Sequence, residues 1–77
     1  MSANKNLIRH QNIQVVLKEL FQKGTSFASD LVKETGISMV TINSLLKDLV
    51  SEGMVTKGKL VQREIGRPAI EYCFNYK

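Results

Sequence analysis

The stretch "GISMVTINSLLKDLVSEGMV", Gly36 to Val55, carries the pattern from which the rest of the chain can be read. Ile42, Leu45, Leu46, Leu49 and Val50 fall at i, i+3, i+4, i+7 and i+8, which is one face of an α-helix. Ser38 stands where a capping residue is wanted and Gly53 where a helix closes, so the spacing predicts a helix over about residues 39–52. At about 100° per residue, Val40, Ser44, Lys47 and Ser51 point nearly opposite the apolar stripe. Thr41, Asn43 and Asp48 lie to either side of them. One face of this helix belongs to a core, and the other has no packing reason to be as it is.

Working outward, the segment before Gly36 reads as a short helix over about 27–35, with Ser26 as N-cap and Asp30 near the positive end of the dipole. Ala28, Leu31 and Val32 form its inner side. A longer helix is predicted over about 6–23, where Ile13, Val16, Leu17, Leu20 and Phe21 repeat the same stripe and Gly24 stops it. After Gly53 the period changes. "MVTKGKLVQ" is short and rich in β-branched residues, and "IEYCFNY" alternates, with Ile70, Tyr72, Phe74 and Tyr76 on one side. Between the two lies "REIGRPA", whose Gly66 and Pro68 mark a turn. These runs predict a β-hairpin over about 54–76 with a basic tip. Ser26 to Gly53 matches the helix-turn-helix pattern, with Gly36 in the turn and Ile37 plugging the junction. The fold class expected is mainly α with a small β-hairpin, a winged helix-turn-helix of three helices plus a two-stranded wing, one domain over 1–77.

Size narrows the function. A chain of 77 residues buries roughly 60–65% of the surface it exposes when unfolded, which leaves a modest core and no substrate cleft between layers. No pair of carboxylates, no nucleophile with a base partner and no glycine-rich phosphate loop is present, so an enzyme is not expected. Cys73 and His10 are the only residues of their kinds, which excludes an internal disulfide and a four-ligand zinc site. Neither metal nor cofactor is expected. Cys73 reads as a semi-buried strand residue. No apolar run approaches the roughly 18 residues of a membrane span, and "MSANKNLIRHQN" lacks the apolar core of a signal peptide. A reduced, cytoplasmic setting without membrane contact is the expectation.

The net charge of +4 is unevenly spread. Lys5, Arg9 and His10 precede any acid, Lys57, Lys59, Arg63 and Arg67 face Glu64 alone in 57–67, and the middle is nearly balanced. Two basic ends around a neutral centre suit a polyanion such as double-stranded DNA. In a helix-turn-helix the third helix enters the major groove. Asn43 could bond an adenine edge, Val40 could touch a thymine methyl, Ser38, Met39, Thr41 and Ser44 lie within reach of base or phosphate, and Lys47 could reach guanine or phosphate. Gly66, Arg67 and Pro68 give a narrow, extended backbone around one guanidinium, which suits a narrow A·T-rich minor groove. Lys57, Lys59 and Arg63 would then track the phosphates.

"IRHQN" leading into "VVLKEL", then "GTSFASDLVKETGIS", "TINSLLKDLVSEGMV" and the "GRP" of the wing, in that order, resemble the N-terminal DNA-binding domain of the ROK family (repressors, open reading frames and kinases). The resemblance covers about residues 6–72. It implies a bacterial, sugar-responsive transcriptional regulator, mostly a repressor, whose kinase-like sugar-binding domain follows the wing and also dimerises. Neither the acidic-glycine phosphate motif nor the cysteine-rich zinc loop of that domain occurs in this sequence. A homodimer, through this domain or a C-terminal one, would read a palindromic site. The alternative is a winged helix that binds protein and not DNA, docking through Ile70, Tyr72, Phe74 and Tyr76, residues that equally suit packing against the first helix.

Overall fold

A computed structural model of the chain describes residues 2–62 and 68–76. The elements run α1 (Ser2–Lys23), β1 (Thr25–Phe27), α2 (Ala28–Thr35), α3 (Met39–Ser51), β2 (Val55–Val61) and β3 (Ala69–Phe74). The three strands form one antiparallel sheet in the order β1-β3-β2. Three helices and this small sheet make a winged helix-turn-helix, mainly α.

The turn between α2 and α3 is set by local chemistry. Gly36 has φ 75° and returns its N–H to the Val32 carbonyl at 2.9 Å. A residue with a Cβ would be strained there by about 1–2 kcal/mol. Thr35 ties the turn from the side, its hydroxyl donating to the Leu31 carbonyl at 2.6 Å and accepting the Ile37 N–H at 3.2 Å. Ser38 then caps α3 as the sequence predicts, its Oγ accepting the Thr41 N–H at 3.3 Å. At the far end, Gly53 N–H donates to Val50 and Met54 N–H to Leu49, at 3.1 and 3.0 Å, the paired bonds of a Schellman stop.

Val16 and Leu20 of α1, Leu31 of α2, Ile42, Leu45, Leu46 and Leu49 of α3, and Val55 of β2 are buried together. Each such side chain contributes about 1.5–3 kcal/mol on leaving water. Ile13, Leu17, Val32, Ile37, Val50, Tyr72 and Phe74 pack around them, half-buried. Lys23 links α1 to α2 by an ion pair with Glu34, and also approaches Glu19 at 3.9 Å.

The structure corrects four sequence expectations. The first helix begins at Ser2, not near residue 6. Ser26 does not cap α2. It lies in β1 opposite Tyr72, 6% exposed, and its hydroxyl meets the Phe27 carbonyl at 3.5 Å, while Phe27 occupies the cap position without a side-chain bond. The wing is therefore joined by a third strand, and the sheet is not two-stranded. β1 has three residues, too few for alternation to register, and it exists because β3 supplies its hydrogen bonds. Phe21, expected in the core stripe, is 56% exposed and stacks at the edge with Phe74 and Tyr76, ring centroids 5.2 and 5.6 Å away. Tyr76 lies beyond the end of β3, and its hydroxyl donates to the Phe21 carbonyl at 2.8 Å. Packing of this aromatic face on α1 thus holds for Phe74 and Tyr76, whereas Tyr72 turns toward α3. Cys73 is half-buried in β3, as expected.

β2 and β3 do not pair evenly. Lys57 is opposite Tyr72 and Leu60 opposite Ile70, so β2 carries one extra residue between them. Gly58 sits in that irregularity, where a Cβ would come within 2.8 Å of the Glu71 carbonyl oxygen. The close approach, and not backbone sign, requires glycine here.

Candidate nucleic-acid interface

α3 presents its outer face as the helical spacing demands. Val40 is 80% exposed, and Met39, Asn43, Ser44, Lys47 and Ser51 are exposed with it. Thr41 is half-buried, because its hydroxyl accepts from Ser38 at 3.1 Å while its N–H completes the cap. Ser38 and Thr41 thus serve the helix start, and Thr41 keeps a hydroxyl able to donate. The two outermost turns toward the N-terminus hold no carboxylate, and Asp48 is the only acid within α3.

On one flank, α3 and the sheet enclose two open crevices of about 320 and 340 Å³. Asn43 and Tyr72 line both, so Asn43 stands between the helix and the wing and not at the centre of the outer face. Lys47 and Lys57 share the second crevice, from opposite walls. Pro68 and Leu60 close the first on the wing side. Lys59 is exposed on β2, at the edge of the sheet, where a cation also deters pairing with another strand. Of the remaining predicted contacts, Arg63, Gly66 and Arg67 lie outside the described residues.

Comparison with protein-family models finds none that matches this chain, and comparison with curated proteins finds no match.

On the opposite flank, Arg9 of α1 reaches α3. One of its terminal nitrogens, Nη2, pairs with the Asp48 carboxylate and lies 3.4 Å from Ser44 Oγ. This contact joins residues 39 apart in sequence. A signal for it exists: Arg9 continues the inner stripe of α1 back from Ile13, Val16 and Leu20, where a cation needs a polar partner. Which helix supplies that partner follows only from the packing. Elsewhere Lys23 gathers Glu19 and Glu34 near the end of α1.

Among the described residues no group of three or more His, Cys, Asp or Glu side chains could hold a metal ion, and no helix is long and apolar enough to cross a membrane.

Proposed function

We propose that this chain binds double-stranded DNA in a sequence-dependent manner, as the DNA-binding domain of a bacterial transcriptional regulator of the ROK type, acting as a repressor. The observation that carries the reading is the outer face of α3: exposed, capped by Ser38, free of acids through Lys47, and bordered by Lys47 and Lys57 across one crevice. α3 enters the major groove with Met39 to Lys47 against base edges. Val40 offers a methyl surface for thymine, Asn43 an amide for adenine, and Lys47 a cation for guanine or phosphate. Lys57 and Lys59 lie along the backbone, and Arg67 of the "GRP" run is offered to the adjoining minor groove. One such module covers about 600–1,000 Å² of its own surface on DNA, so a pair of them on a palindrome gives useful affinity. No catalytic role belongs to the chain in this reading, and it works in the cytoplasm, on the nucleoid.

The test is fluorescence anisotropy of a labelled A·T-rich duplex titrated with the chain over a range of salt. Binding that weakens steeply with salt, weakens again in Lys47→Ala, and loses its A·T preference in Arg67→Ala is the expected result. No binding at low salt would sink the reading. The exposed Leu60 and Met39 beside the crevice would then favour the protein-docking alternative.

A further inference from the structure

The wing is not the only element beside α3, and resting on the DNA reading above, the opposite flank has a part in it too. Along α3, Met39, Asn43, Lys47 and Val50 face the sheet, whereas Ser44 and Asp48 face α1, with Val40 between. An α-helix about 10–12 Å across fills a major groove about 12 Å wide, so its two flanks meet the two phosphate strands. Lys47 and Lys57 supply cations on the wing flank. The other flank carries Asp48, which alone would repel a phosphate.

Arg9 cancels the negative charge of that flank. Both of its contacts use Nη2, and among the described residues Nη1 and Nε have no partner. The side chain is 40% exposed, and that of Asp48 51%. A guanidinium is a rigid planar fork with five donors. With Nη2 on Asp48 and 3.4 Å from Ser44, the other donors lie at the edge of α3. We infer that Arg9 is a phosphate-binding residue, which Asp48 and Ser44 position so that it grips the DNA strand on the flank of α3 away from the wing. Asp48 is then a positioning residue whose charge Arg9 masks. An ion pair this exposed adds little to folding, so a purely structural role for it would leave a weak trace.

The salt dependence of binding separates these roles. The anisotropy titration is run on the same A·T-rich duplex with wild type, Arg9→Ala, Asp48→Asn and the double variant, after thermal melts show that all four fold alike. A lost phosphate contact flattens the plot of log K against log salt by about 0.9, which is about eightfold in affinity at about 0.1 M salt. The expected result is that loss in Arg9→Ala relative to wild type, and a smaller but still measurable loss in the double variant relative to Asp48→Asn, because asparagine holds the guanidinium less firmly than the carboxylate does. Two results overturn the assignment: a slope unchanged by Arg9→Ala, or a loss that disappears once Asp48 is asparagine. The first makes the pair a surface staple, and the second makes Arg9 only a mask. Failure of wild type to bind at any salt overturns the DNA reading itself, and is distinct from both.

Discussion

At the scale of the residue, two serines of similar promise have different roles. Ser38 accepts the Thr41 N–H and holds the first turn of α3, so Ser38→Ala should destabilise the fold by about 1 kcal/mol. Ser26 reads equally well as a cap by type and position, yet it sits in β1 with one long contact to the Phe27 carbonyl. Ser26→Ala should therefore stay within about 0.5 kcal/mol of wild type, since it removes only a weakly bonded hydroxyl. Urea unfolding of the two variants side by side checks the pair, and equal losses would return Ser26 to the cap. Thr35 makes a second point. Its hydroxyl serves both the Leu31 carbonyl and the Ile37 N–H, so it braces the turn together with Gly36. Neither contact shows in the composition of the turn, because threonine at a helix end has many possible bonds and the backbone chooses among them.

At the scale of the element, the helices and the wing differ in how they are specified. α3 carries its own instructions: a cap, an apolar stripe and a glycine stop, all within a few residues of one another. β2 carries few. Five of its seven residues are exposed, it lies at a sheet edge, and its register on β3 shifts between Lys57 and Leu60. Gly58 permits the close approach to the Glu71 carbonyl that this shift requires. Gly58→Ala should cost about 1–3 kcal/mol, the range for forcing atoms into occupied space. Hydrogen exchange should show the loss as faster exchange of β2 and β3 amides, with α2 and α3 little changed. Uniform acceleration would mean that the wing and the helices unfold as one unit. For the proposed interface this matters directly, since Lys57 is placed against Lys47 by that pairing.

At the scale of the whole molecule, a 77-residue chain with eight buried apolar side chains among its described residues has a small core, and a ligand should weigh heavily on its stability. A duplex at one hundred times its Kd should add about 2.7 kcal/mol, which in a domain of this size raises Tm by more than about 10 °C. Differential scanning calorimetry with and without duplex measures it, and the rise should fade as salt is added. The same division by scale explains what could be read in advance. Three helices, their order, most of the core, the turn at Gly36 and the acid-free face of α3 follow from the sequence alone, because periodicity, caps and stops act over a few residues. β1, the exposure of Phe21, the turning of Asn43 toward the wing and the grip of Arg9 on Asp48 were decided by tertiary structure. Each of these joins residues far apart in the chain, and no local preference chooses between a strand partner, a neighbouring helix and water. The packing of α1 against α3 and of β3 between two strands makes that choice.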